Sequence, residues 1–113
     1  MPAPMTILLD ENIPHFLKRL LSEFEVVSVQ ELGLSGTKNG ALLALIDGTY
    51  DAFITADKNL KYQQNLATRK IAIIELYSNR LPEIKRMGGR VRTVLTTLNE
   101  GDFVVIAPPE AKE

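Results

Sequence analysis

Between Thr6 and Pro14 the chain reads TILLDENIP: apolar Ile7, Leu8 and Leu9 stop abruptly at Asp10, Glu11 and Asn12, and Pro14 then opens an amphipathic run. A short apolar run bounded by polar residues suits a strand buried on both faces. Pro14 suits a helix start, with Asn12 the expected N-cap. The same handover recurs at Phe53-Ile54-Thr55, which runs into Ala56-Asp57. If the two strands are neighbours in a parallel sheet, Asp10 and Asp57 share one crevice at the carboxyl edge, where open α/β sheets bind ligands. The plainer use of Asp10 and Glu11 is to complement a helix dipole.

The rest of the chain alternates in the same way. Phe16, Leu17, Leu20, Leu21 and Phe24 repeat at helical spacing, and Glu25–Val29 reads as a second strand. The stretch QELGLSGTKNG is a loop by composition, and ALLALI (41–46) a short buried helix. Asp51–Thr55 is the third strand, Leu60–Ala67 a helical segment and Lys70–Leu76 the fourth strand. Leu81–Leu98 is the longest helix, with Ile84, Met87, Val91, Val94, Leu95 and Leu98 as its apolar stripe and a kink or late start expected at Gly88-Gly89. Asp102–Ala107 is the last strand. Strands alternating with helices predict an α/β fold, a three-layer α/β/α arrangement on a mainly parallel sheet. The expected core comprises Ile7, Leu8, Leu9, Leu17, Leu20, Val26, Leu42, Ile54, Ile73 and Val104. One domain over 1–113 is expected, with residues 1–5 and 108–113 as loose termini.

Cysteine is absent, which excludes disulfide and thiolate chemistry and makes a cytoplasmic location the expectation. No apolar run approaches the roughly 20 residues that span a membrane, and the first residues lack the features of a signal peptide. The net charge of −1 hides a segregation: residues 1–57 carry −5, residues 58–92 carry +7 and the remainder −3. An acidic cluster beside a basic stretch suits a metal site next to a polyanion track, and equally suits ordinary solvated helix faces.

Carboxylates held close repel unless a cation joins them. An oxygen-rich site of one or two carboxylates plus water suits Mg²⁺ or Mn²⁺. Asp10 and Asp57, with Glu11 beside them, are the expected metal ligands. Asn12, Thr55, Lys58, Asn59 and Gln64 are the expected substrate contacts, although the Gln63-Gln64-Asn65 triplet also suits a solvated helix face. His15 is the only histidine and reads as incidental. No Cys or His cluster for zinc, no phosphate-binding Gly-Lys loop and no nucleophilic triad is present.

LLDENIP, ELGLSGTKNG, ITADKNLKYQQNL and KIAIIEL together resemble the PIN-like proteins, specifically a small bacterial branch, over about Thr6 to Leu98. The resemblance implies a compact α/β/α fold whose strand-end acids bind Mg²⁺ or Mn²⁺, and a metal-dependent ribonuclease, often the toxin of a toxin–antitoxin pair. Asp10 matches the first acid and Asp57 the later one. Two further acids of the pattern fall at Ala41 and Asn59, so the site is depleted; Asp51 and Glu11 are nearby substitutes only if the geometry brings them to it. The expected function is therefore a Mg²⁺/Mn²⁺-dependent ribonuclease with a depleted acidic site, or a catalytically weak PIN-like module binding nucleic acid or a partner. The expected partners are RNA, an antitoxin protein and a second copy of the chain.

An acid pair after the first strand and Asp57 after the third also fit a response-regulator receiver. Such a domain needs a Lys at the end of its last strand, where this chain has Ile106-Ala107-Pro108-Pro109.

Overall fold

In the computed structural model, residues 5–60 and 69–109 are described. Strands β1 (Thr6–Leu9), β2 (Glu25–Ser28), β3 (Ala52–Thr55), β4 (Ala72–Leu76) and β5 (Phe103–Ile106) form one sheet in the order β2-β1-β3-β4-β5. Every pairing is parallel. The chain leaves β1 for β2 on one side and returns to β3 on the other, so the strand order reverses between β1 and β3. A crevice opens at the carboxyl end of such a switch point.

Helices cover both faces, which is why the central strands are apolar throughout rather than alternating. Helix α1 (Phe16–Leu20) with its C-cap Leu21, and helix α3 (Leu81–Thr97), pack Leu17, Leu21, Ile84, Met87, Val91 and Leu95 against Ile7, Leu9, Ile54 and Ile74. Helix α2 (Asn39–Ile46) packs Leu42, Leu43 and Ile46 against Leu8, Phe53 and Ile73 on the opposite face. The arrangement is the three-layer α/β/α fold. Among the described residues no helix is long and apolar enough to cross a membrane.

Several local expectations need correction. Helix α1 is five residues long, not a run to Phe24, and His15 rather than Asn12 occupies its N-cap. Asp10 explains the displacement: its carbonyl accepts the Ile13 amide at 3.0 Å, closing a turn before Pro14. Leu20 and Val104 are half-buried, Val104 because β5 is an edge strand. Met5, expected in a loose terminus, packs against the core and accepts the Glu25 amide at 3.1 Å. No break divides α3 at Gly88-Gly89: Gly88 packs against α1, and a Cβ built there would stand 2.9 Å from Leu20 Cδ1. The helix expected over Leu60–Ala67 falls, apart from buried Leu60, outside the described residues.

Candidate functional site

Asp10 and Asp57 follow β1 and β3, which pair directly, with Leu9 opposite Ile54. Both therefore emerge at the carboxyl edge and line one cleft of about 560 Å³. Thr55, the last residue of β3, joins them. Its hydroxyl donates to Asp10 Oδ2 at 2.7 Å and accepts the Asp57 amide at 3.0 Å. Thr55, expected as a substrate contact, is fully buried and does not line the cleft; its hydrogen bonds go to the two acids.

Each carboxylate is held at both oxygens. Asp10 Oδ1 accepts the Glu11 amide at 2.8 Å. Asp57 Oδ2 accepts the Asn39 side-chain amide at 2.8 Å, and its Oδ1 accepts the Asn59 amide at 2.9 Å. Burial pushes the Asp10 carboxyl above its ordinary value of 3.8. The Thr55 and Glu11 hydrogen bonds pull it back down, and the neighbouring Glu11 and Asp57 carboxylates add to the rise.

The other expected site residues divide. Asn12 and Lys58 line the cleft. Glu11 lines it too, but its Oε1 accepts the Gly36 amide at 3.1 Å, tying the turn after β1 to the β2–α2 loop. Gly36 holds φ +81°, a conformation that L side chains rarely adopt. Asn59 does not line the cleft and contributes only its backbone amide to Asp57. Gln64 lies outside the described residues. Asp51 is no substitute acid: it binds the Thr6 amide and hydroxyl at 2.8 and 3.1 Å, at the amino end of the strands. Ala41 is exposed and does not line the cleft; Asn39, two residues earlier, is the α2 residue that reaches Asp57. Exposed His15 takes no part in the cleft.

Sequence reasoning missed the contribution of β4. The chain leaves that strand through Tyr77-Ser78-Asn79-Arg80, and all four residues line the cleft. The signal was available, since KIAIIEL is a third apolar strand ending in polar residues. Tyr77 Oη donates to Glu83 Oε1 at 2.5 Å, and Arg86 pairs with the other Glu83 oxygen at 2.8 Å. Donation to Glu83 raises the Tyr77 hydroxyl above its ordinary 10.0, and the same bond, with Arg86 nearby, lowers Glu83. Buried Glu75 lies in register beside Thr55, and its Oε1 has no hydrogen-bond partner among the described residues.

The basic stretch is divided by the fold. Lys58 and Arg80 face the cleft. Along α3, Arg92 pairs with Glu23 at 2.7 Å and Arg90 donates to the Ala107 carbonyl at 2.6 Å. Lys85 and Arg19 flank the Phe16 ring at 5.1 and 5.2 Å. Most described α3 arginines thus pin neighbouring elements rather than form an open track.

The chain matches no protein-family model, no curated protein and no solved structure.

Proposed function

We propose that the cleft at the β1/β3 switch is a PIN-like site in which Asp10 and Asp57 hold Mg²⁺ or Mn²⁺ beside an RNA phosphodiester. The observation that supports this most is the Thr55 hydroxyl, which binds the Asp10 carboxylate and the Asp57 main-chain amide and so ties together two acids that line one cleft with Lys58 and Arg80. Among the described residues no group of three or more His, Cys, Asp or Glu side chains could hold a metal ion. Two carboxylates nevertheless suit Mg²⁺, which commonly takes one or two of them and fills its shell with water and substrate phosphate. When bound, such a cation supplies an acidified water and neutralises phosphate charge.

The chain's own residues have separate tasks. Thr55 orients Asp10, Asn39 orients Asp57, and Lys58 and Arg80 attract the phosphate and offset its charge. With neutral residues at 41 and 59, slow cleavage or binding without turnover is expected. Calorimetry with Mn²⁺ on the parent chain, Asp10→Asn and Asp57→Asn tests the metal, and a ribonuclease assay tests turnover. Equal Mn²⁺ affinity in all three proteins would sink the proposal.

A receiver-type phosphoacceptor is the second reading, and the strand order β2-β1-β3-β4-β5 favours it, since receivers share that order. Asp57 would then be the acceptor. The exit of β5 into Ala107-Pro108-Pro109, with no Lys, counts against it. Incubation with acetyl phosphate and mass spectrometry separates the two, because only an acceptor gains a phosphoryl group that Asp57→Asn abolishes.

A further inference from the structure

Tyr77 is the one aromatic side chain among the cleft's described lining residues; the others are carboxylates, amides, small side chains and the cations Lys58 and Arg80. Its position is fixed at two points. The half-buried ring packs against the core shared by β1, β3, α1 and α3, and the hydroxyl is committed to Glu83, itself held by Arg86. A ring anchored at both ends loses little freedom when a flat ligand is laid on it. Its hydroxyl, already donating to a carboxylate, is not the cleft's proton donor. What the half-buried side chain has left to offer the cleft it lines is its apolar ring, beside groups that favour a phosphate and amides that can pair with base edges.

We propose that Tyr77 is a stacking platform for an unpaired nucleobase, so that the cleft takes single-stranded RNA one base at a time, with the adjoining phosphate toward Lys58 and Arg80. The proposal rests on the nucleic-acid reading above and deepens it: double-stranded RNA, whose bases are already stacked on one another, is excluded. The open cleft, of about 560 Å³, is within the size range of small-ligand sites. Stacking tolerates any base, because every base presents a π-face. Ser78 and Asn79, next to Tyr77 on the same wall, would supply whatever base preference exists.

The 113-residue chain is titrated by fluorescence anisotropy, in Mn²⁺, with a labelled RNA hexamer and with a ribose-phosphate hexamer that lacks bases. The parent chain is expected to prefer the base-bearing strand by about five- to 150-fold, the range that aromatic stacking of one base gives. Tyr77→Leu keeps an apolar side chain on the core and removes the π-face. It should lose most of that preference, the ratio of base-bearing to base-free affinity falling toward one, and circular dichroism with thermal unfolding reports whether the fold is intact. Tyr77→Phe should keep most of it. Retention of the full preference in Tyr77→Leu, or its equal loss in Tyr77→Phe, overturns the stacking role and leaves the phosphate site standing. Failure of the parent to bind either strand overturns the nucleic-acid reading and this inference together.

Discussion

The Thr55 hydroxyl stands 2.7 Å from Asp10 Oδ2, across the pairing of β3 with β1. The same oxygen accepts the Asp57 amide, so one buried atom sets the relation between the two acids. Loss of that atom should therefore be felt in stability as well as in the site. Thr55→Val keeps the shape but strands a part-buried carboxylate oxygen and a part-buried backbone donor, at a cost of about 1 kcal/mol. Thermal unfolding should show a Tm several degrees lower for Thr55→Val and little change for Thr55→Ser, which retains the hydroxyl. Equal Tm values for parent and Thr55→Val would mean that the bridge contributes nothing net.

Asp10 should titrate above its ordinary 3.8, mainly because it is buried. A carboxyl raised in the folded state binds its proton more tightly there than in the unfolded chain. Its contribution is therefore most favourable at low pH, declines as pH rises from 3.8 through the folded value, and is flat above it. Carboxyl carbon NMR shifts would locate the folded value. In Thr55→Val it should move higher still, because a hydrogen bond that lowers it is gone. A downward move would mean that the hydroxyl does not stabilise the ionised form.

Gly88 and Gly89 are adjacent in α3 but should respond in opposite directions to alanine. At Gly89 a Cβ meets nothing within 4 Å, so Gly89→Ala should stabilise by about 0.5–1 kcal/mol through backbone entropy alone. At Gly88 the new methyl would press on Leu20 Cδ1 at 2.9 Å and Cβ at 3.3 Å. The overpacking cost of about 1–3 kcal/mol should exceed the helix gain. Urea midpoints for both variants check the pair, and stabilisation by Gly88→Ala would show that Leu20 yields freely.

Asn39→Asp tests which α2 residue faces the acids. Asn39 Nδ2 donates to Asp57 Oδ2 at 2.8 Å, so a carboxylate there would set two negative charges against each other. In chelator the variant should melt below the parent. With Mn²⁺ it should recover and bind the ion more tightly, each tenfold gain corresponding to about 1.4 kcal/mol. Ala41→Glu, placed on an exposed position, should do neither to a comparable degree. A larger effect at 41 than at 39 would contradict the hydrogen bond from Asn39.

The strands, the helices over each face and the two acids at strand ends were all legible in the chain, because each depends on local periodicity. Ile7-Leu8-Leu9 and Phe53-Ile54 announce strands buried on both sides, and the stripe from Ile84 to Leu95 announces a helix with one covered face. Asp10 and Asp57 are found by reading where those apolar runs stop. Neighbours in space are another matter. That β1 lies between β2 and β3 follows from pairings among distant residues, and from this come the shared cleft, the role of Thr55 as a buried strut and the removal of Asp51 to the far edge. The choice of Asn39 over Ala41, and the arrival of Tyr77 and Arg80 at the same cleft, were likewise decided in three dimensions. A side chain's reach depends on the rotation of its helix against the sheet and on which strand ends lie side by side. Hydrophobic spacing along a single segment carries neither quantity.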